Sequence, residues 1–211
     1  MPLTRLLVAL LSTLLTVLAL ASELDPEQEH ALPPPGITGR YLLMDTNGRA
    51  VSNEDFLGRF QLISFGYTFC PDICPTTLAE MSLVMSSLGS DAERLQPVFI
   101  TVDPERDTAS VLRTYVTFFH PRMIGLRGSP ALIRRAADNF RVRYEKVREP
   151  GAPPDEYAVD HSAGMFLLGP DGSYIRKFAY AVPPAEIGER IREIMAAGDQ
   201  RATDFHRSTT P

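Results

Sequence analysis

Residues 70–75 read Cys-Pro-Asp-Ile-Cys-Pro and hold the only two cysteines in this chain of 211 residues. Residues 61–66 before them, Gln-Leu-Ile-Ser-Phe-Gly, have the apolar pattern of a buried strand, and residues 76–85 after them favour a helix. We therefore expect both sulfurs in a loop between a strand and a helix. The two cysteines are one helical turn apart, which would place their Cα atoms roughly 6 Å from each other.

This position favours sulfur chemistry. The first turn of a helix has unpaired N–H groups and partial positive charge, so it is expected to stabilise a thiolate and lower the thiol pKa. Pro75 fits such a turn, whereas the carboxylate of Asp72 opposes ionisation of the thiols. The spacing permits a disulfide and also lets both sulfurs bind one soft metal ion. A structural disulfide or two buried free thiols are the alternative, but so small a loop gains little from a cross-link.

The composition is that of a globular protein with an apolar N-terminus. Apolar residues make up 44% of the chain and charged residues 22%, and the formal net charge of −5 argues against a nucleic-acid partner. Arg5 is the only charged side chain in residues 1–22. The apolar run at 6–21 would span about 24 Å as a helix, which is less than the roughly 30 Å hydrocarbon core of a bilayer.

Residues 1–21 are therefore predicted to be a signal peptide or a membrane anchor. The run ends in Ala-Leu-Ala at 19–21, which is a small-x-small cleavage pattern, and acidic residues follow it. An uncleaved anchor is the alternative, because a bilayer accommodates a slightly short span. Both interpretations place the folded domain outside the cytoplasm, in the periplasm or at the outer face of the inner membrane.

The rest of the chain divides into a proline-rich linker at 22–39, one domain at 40–198 and a polar, flexible tail at 199–211. Within the domain we expect a hairpin around residues 47–48, buried strands and helices in alternation, a second hairpin and a closing helix. The predicted buried strands are 60–66 and 97–102, the predicted helices are 75–88, 110–119, 130–140 and 184–197, short strands are expected at 123–126 and 144–147, and the second hairpin joins 165–168 to 174–178.

This order predicts an α/β fold of the thioredoxin type, with a central mixed sheet flanked by helices, an N-terminal hairpin and insertions. The first half forms parallel strands through helical crossovers, and the second half adds an antiparallel hairpin. Binding sites in open α/β sheets lie at the carboxyl ends of the strands, which is where the cysteine stretch falls.

His161 is the candidate third ligand. Thioredoxin-like proteins normally place a cis-proline before the hairpin strand, facing the cysteines, but no proline occurs between Pro154 and Pro170 and His161 occupies that region. A lone histidine is more often structural, yet the fold places this one opposite the sulfurs, and Asp160 is expected to help fix its surroundings. Two thiolates and one imidazole suit copper, whose reduced ion prefers sulfur.

Three segments resemble the Sco/SenC family: Thr-Phe-Cys-Pro-Asp-Ile-Cys-Pro at 68–75, Val-Asp-Pro-Glu-Arg-Asp-Thr at 102–108 and Val-Asp-His-Ser at 159–162. The resemblance covers roughly Gly36 to Ala197. Members of the family are membrane-associated or periplasmic thioredoxin-fold copper proteins that help assemble the dinuclear copper site of cytochrome c oxidase.

The resemblance implies that Cys70, Cys74 and His161 bind copper, as Cu(I) or Cu(II), and that the two cysteines also form a redox pair. Asp103 and Asp107 are secondary candidates, near copper or at a docking surface, with helix capping as the alternative. The implied partners are the copper-site subunit of the oxidase and other copper-handling or thiol-reducing proteins, with membrane association through the N-terminus.

Three functions were compared on this basis. The favoured one is a copper metallochaperone or assembly factor, which is not an enzyme in the turnover sense. The alternative is a thiol–disulfide oxidoreductase that reduces the cysteines of the oxidase subunit before metal insertion, although the spacing and the missing cis-proline depart from general reductases. A peroxidase of the peroxiredoxin kind is disfavoured, because no proline precedes Thr68 in its strand.

Overall fold

The structure is a computed structural model that describes residues 36–153 and 156–209. The predicted signal peptide or anchor at 1–21 lies outside the described residues, as does the predicted linker up to residue 35. Among the described residues, no helix is both long enough and apolar enough to cross a membrane.

Nine strands and four helices follow one another in the described chain. The strands are β1 (Leu42–Asp45), β2 (Ala50–Ser52), β3 (Phe60–Gly66), β4 (Leu95–Thr101), β5 (Ile124–Arg127), β6 (Tyr144–Val147), β7 (Ala158–His161), β8 (Met165–Leu168) and β9 (Tyr174–Phe178). The helices are α1 (Ile73–Leu88), α2 (Ala109–Phe119), α3 (Pro130–Asn139) and α4 (Pro184–Thr209).

Seven of these strands form one mixed sheet in the order β2-β1-β5-β4-β3-β8-β9. Strands β3, β4 and β5 are parallel to one another, and β8 and β9 add the antiparallel hairpin at the other side of β3. Strands β6 and β7 pair only with each other, as an antiparallel hairpin outside the main sheet. The predicted α/β fold of the thioredoxin type, with a mixed sheet and an N-terminal hairpin, is confirmed.

The central sheet is covered on both faces. Every residue of β3 and of β4 is buried, as their nearly continuous apolar sequences require. Successive residues of a strand point to opposite faces, so Ile63 and Phe65 pack with Phe140 beyond α3, whereas Leu62 packs with residues of α1, α2 and α4. This two-sided burial holds the end of β3 rigidly, and the cysteine stretch begins there.

The predicted helices need three corrections, two to their ends and one to the buried face of α1. Helix α1 begins at Ile73 instead of Pro75, so Cys74 lies in its first turn and not in the preceding loop. The apolar side chain of Leu83 favours a place on the core face of α1, but Leu83 is 58% exposed, because it lies about 140° around the helix from Leu78. Helix α4 continues to Thr209 instead of ending near Ala197, since a single glycine in a helix interior costs only about 1 kcal/mol.

The sequence pattern also missed strand β7. Its four residues are too few for a clear alternation, and it is stabilised by pairing with β6, in the register Tyr144↔His161. The consequence for the site is that His161 ends a paired strand and does not lie in an open loop.

Candidate metal centre

The cysteine turn is built where β3 ends and α1 begins. Cys70 lies in the connecting loop and is partly exposed, whereas Cys74 is only 2% exposed in the first turn of the helix. The Cys70 N–H donates to the Tyr67 carbonyl at 3.3 Å, and the Cys74 N–H points at the Cys70 Sγ at 3.5 Å. Both cysteines are free thiols in this structure. The turn therefore presents one accessible sulfur and one enclosed sulfur.

His161 approaches the enclosed sulfur from the β6–β7 hairpin. Its Nε2 lies 3.2 Å from the Cys74 Sγ, and its Nδ1 lies 3.2 Å from the Ser162 carbonyl oxygen. A carbonyl oxygen can only accept a hydrogen bond, so Nδ1 carries the proton and Nε2 faces the sulfurs with its lone pair. The histidine is thus held in the tautomer that a metal ligand at Nε2 needs.

The expected partner of His161 was Asp160, and the structure corrects this. Neighbouring residues of a strand point to opposite sides, so Asp160 is exposed while His161 faces the cysteines. The Nδ1 partner is the Ser162 carbonyl, and Asp160 contributes only the long-range attraction of its charge.

Three donor atoms converge at this point. One ligand atom from each of Cys70, Cys74 and His161 lies within 4.8 Å of the other two. Among the described residues this is the one group of three or more His, Cys, Asp or Glu side chains arranged so closely. Two sulfurs and one imidazole nitrogen form a donor set for a soft or intermediate metal ion.

Burial controls the protonation of two of the donors. Burial raises the pKa of the Cys74 thiol above its ordinary value, and the neighbouring Cys70 and Asp107 act in the same direction. The predicted lowering by the helix end is therefore wrong for this sulfur, because desolvation of the thiolate outweighs it. Burial also lowers the pKa of His161, which keeps the imidazole neutral and available as a ligand at neutral pH. A metal ion must displace the Cys74 proton in order to bind.

The two acidic candidates lie outside the group of three donors. Asp107 is fully buried and accepts hydrogen bonds from the Thr68 N–H, the Thr68 hydroxyl and the Thr101 hydroxyl. The cap of α2 is Thr108, whose hydroxyl accepts from the Val111 N–H, so Asp107 is not the cap. Asp107 instead fastens the loop two residues before Cys70.

Asp103 is fully buried as well. Its carboxylate accepts from the Arg106 Nε at 2.5 Å and from the Tyr157 hydroxyl at 2.9 Å. The carboxylate therefore joins the loop after β4 to the segment that leads into β7.

Sequence reasoning missed two residues that shape the centre. A Cβ on Gly66 would lie 2.7 Å from the Cys74 Sγ and 2.8 Å from the Phe99 ring, so only glycine leaves room for this sulfur. The signal was present, since a glycine within a buried strand often marks a close approach. Tyr67 accepts a hydrogen bond from the Val159 N–H at 3.2 Å, and its ring stands edge-on to His161. No sequence pattern indicates that contact, because Tyr67 and Val159 are 92 positions apart.

The fold and the centre together define a thioredoxin-like protein with a candidate metal-binding turn: a two-cysteine turn at the carboxyl end of a central strand, faced by a histidine from a separate hairpin. The chain belongs to the SCO1/SenC family, whose model matches residues 29–196.

Individual relatives agree with this assignment. The chain is 39% identical to the SCO2-like protein of Rickettsia felis over 156 residues, which are 74% of this chain and 76% of the relative. It resembles the copper-bound structure of Arabidopsis thaliana ScoI with a TM-score of 0.70 and 34% identity, covering 76% of this chain and 99% of that one. For copper-bound Bradyrhizobium japonicum ScoI the TM-score is 0.67 and the identity 38%, over 74% and 98% of the two chains.

Proposed function

We propose that this protein is a copper metallochaperone that delivers copper to, or matures, the dinuclear copper site of cytochrome c oxidase. The observation that carries the proposal is the convergence of one ligand atom from each of Cys70, Cys74 and His161 within 4.8 Å. Membership of the SCO1/SenC family and the copper-bound relatives support copper as the ion.

The three donors suit a cargo ion that must be held and then released. Two thiolates alone satisfy Cu(I), whereas Cu(II) also favours nitrogen donors and so depends on the imidazole. Cys70 is the more exposed of the two cysteines, so an acceptor thiol reaches the ion from the Cys70 side while Cys74 and His161 hold it from within. Exchange of one ligand at a time lets copper move between proteins without entering water as a free ion.

The experiment is a transfer assay with a purified, metal-free copper-site domain of the oxidase subunit. The reduced protein is titrated with Cu(I) against a competing chelator, and the loaded protein is then mixed with the acceptor domain. We expect one copper per chain, copper in the acceptor after the two proteins are separated, and the dinuclear-site absorption once ferricyanide removes one electron from each copper pair. A stoichiometry of zero, or an acceptor that holds no copper after separation from the fully loaded protein, would contradict delivery.

A second function rests on the difference in exposure between the two sulfurs. The thiolate of Cys70, the more accessible of the two cysteines, can attack a disulfide of the oxidase subunit, and Cys74 can then resolve the mixed disulfide. The partner gains two electrons and two protons and becomes a dithiol, while Cys70 and Cys74 become a disulfide. Mixing the reduced, copper-free protein with an oxidised acceptor distinguishes the two roles. Appearance of free thiols in the acceptor indicates reduction, because this reaction proceeds without copper.

We also propose that the protein acts outside the cytoplasm, in the periplasm or at the outer face of the inner membrane. The support is the composition of residues 1–21, which read as a signal peptide or an anchor. Mass spectrometry of the native protein tests this. Loss of residues 1–21 in the soluble periplasmic fraction indicates a signal peptide, and an intact N-terminus in the membrane fraction indicates an anchor. Recovery of the intact chain from the cytoplasmic fraction would contradict the proposal.

A further inference from the structure

Arg106 lies at the junction of the two segments that carry the metal ligands. It belongs to the loop after β4, and its guanidinium carbon lies 3.7 Å from the centroid of the Tyr157 ring and 5.0 Å from that of Phe69. Phe69 directly precedes Cys70, and Tyr157 directly precedes β7. One side chain therefore contacts both the cysteine loop and the start of the histidine strand.

Hydrogen bonds link Arg106, Tyr157 and Asp103 to one another at the start of β7. Arg106 donates from Nη1 to the Tyr157 carbonyl at 2.9 Å and from Nε to the Asp103 carboxylate. The other oxygen of that carboxylate accepts from the Tyr157 hydroxyl. Tyr157 is thus held by its ring, its hydroxyl and its backbone, and a Lys ammonium could not make the same planar set of contacts.

The remaining guanidinium nitrogen explains why aromatic rings surround this side chain. Arg106 Nη2 is buried and has no hydrogen-bond partner among the described residues. The Tyr157 and Phe69 rings, with Tyr67 at 5.6 Å, provide the π-electron density that compensates a cation withdrawn from water. The guanidinium is therefore tied to the aromatic side chains of both ligand-bearing segments.

The alternation along β7 connects this arrangement to His161. Residues 157, 159 and 161 point to the same side of the strand, while Ala158 and Asp160 are exposed. Arg106 holds Tyr157, the Tyr67 hydroxyl holds the Val159 N–H, and His161 follows next on this side. A displacement of Tyr157 would shift the four-residue strand β7 and the imidazole of His161 at its end.

The geometry points to Arg106 as a positioning residue of the metal centre, which fixes His161 against the cysteine pair through its contacts with Tyr157. Arg106 reaches the cysteine loop only through ring contacts at 5.0 and 5.6 Å, whereas the two sulfurs are held by β3, α1 and the Asp107–Thr68 hydrogen bonds. Loss of Arg106 should therefore affect the histidine and spare the thiol pair. This inference rests on the copper-binding function proposed above, so part of its test uses the metal-free protein.

The test compares Arg106→Gln and Arg106→Lys with wild type. Outer contacts that orient a ligand commonly contribute tenfold to a hundredfold to metal affinity. We expect Arg106→Gln to weaken Cu(II) binding at least about tenfold and to change the sulfur-to-copper absorption, with Cu(I) affinity within about threefold of wild type. Arg106→Lys keeps the charge but not the planar contacts, so we expect it also to weaken Cu(II) binding and to leave Cu(I) affinity nearly unchanged.

Arg122→Gln is the matched control. Arg122 also donates to backbone carbonyls, those of Ala92, Glu93 and Leu95, but it does so at the opposite end of β4. Its loss should lower the thermal unfolding midpoint and leave the Cu(II) spectrum unchanged. If Arg122→Gln altered the Cu(II) spectrum as Arg106→Gln does, a general loss of stability would explain both and the positioning role would be wrong.

Hydrogen exchange of the metal-free protein separates this inference from the proposed function. We expect faster exchange at the Val159 amide and shifted His161 ring signals by NMR in both Arg106 variants. Unchanged exchange and ring signals in the folded variants overturn the positioning role, whether or not copper binds. If the wild-type protein binds no copper but the Arg106 variants still show changed exchange, the positioning of His161 is supported and only the copper function is contradicted. Arg106→Lys decides the result if Arg106→Gln does not fold.

Discussion

The Nε2 of His161 lies 3.2 Å from the Sγ of Cys74, although the two residues are 87 positions apart in the chain. Cys74 is held by the first turn of α1, and His161 is held by the pairing of β6 with β7. The centre therefore depends on two elements that have no direct backbone pairing with each other.

Replacement of His161 by Ala should weaken Cu(II) binding at least about tenfold and have a much smaller effect on Cu(I), because two thiolates are sufficient for the reduced ion. Disulfide exchange should persist, since it requires only the sulfurs. Competition titrations with both copper states, together with absorption spectra, measure this. His120→Ala is the control, as His120 directly follows α2 and its Nδ1 accepts a hydrogen bond from the Arg122 N–H. An unaltered Cu(II) spectrum in His161→Ala would remove this histidine from the ligand set.

Oxidation of Cys70 and Cys74 to a disulfide should abolish tight copper binding, because it removes two of the three donors. In the reduced, metal-free protein, Cys70 should react first with iodoacetamide, since Cys74 is 2% exposed and burial raises the pKa of its thiol. Mass spectrometry of timed samples identifies which cysteine carries the label. Equal copper affinity of the oxidised and reduced protein, or preferential labelling of Cys74, would contradict this description of the pair.

Replacement of Gly66 by Ala should displace the Cys74 sulfur, because the new methyl group would occupy the space beside it. The added Cβ would approach the Cys74 Sγ and the Phe99 ring within 3 Å, and overpacking of this kind typically costs about 1–3 kcal/mol. We expect lower stability in urea and weaker binding of both copper states. Gly198→Ala is the control, because a Cβ there meets no atom within 4 Å and favours the helix. Normal Cu(I) affinity in Gly66→Ala would show that the sulfur has room to move.

Asp107 should make a specific contribution to the pH dependence of stability. Burial raises the pKa of its carboxyl above 3.8, so the folded protein keeps this proton at a pH where the unfolded chain has lost it. The contribution of Asp107 to stability is therefore largest below pH 3.8 and is lost as the pH rises through the folded-state pKa. Unfolding free energies of wild type and Asp107→Asn are measured by urea from pH 3 to 7. The advantage of wild type over the variant should be largest at the lowest pH and should shrink as the pH rises.

The same variant should also show a pH-independent loss of about 1–3 kcal/mol, because Asn cannot accept all the hydrogen bonds from Thr68 and Thr101. The two effects are separable, since only one of them varies with pH. A difference between the two proteins that stays constant across the whole range would show that Asp107 titrates as it does in the unfolded chain.

Much of the fold could be predicted from local patterns. Residues 60–66 are apolar at nearly every position, which identifies a strand buried on both faces, and the pattern of residues 76–85 identifies the helix that follows the cysteines. The strong hairpin turns at residues 47–48 and 169–172 also agree with the observed strands. These features depend on neighbours in the sequence, so a linear pattern is enough to detect them.

The remainder depends on contacts that no linear pattern contains. Strand β7 exists because it pairs with β6, and the Cys74 thiol has a raised pKa because the fold encloses it. Secondary structure and the types of donor were predictable because hydrophobic period and residue chemistry are local properties. The enclosure of Cys74, the tautomer of His161 and the contacts of Arg106 arise only when distant segments pack, since burial and long-range hydrogen bonds are properties of the folded chain.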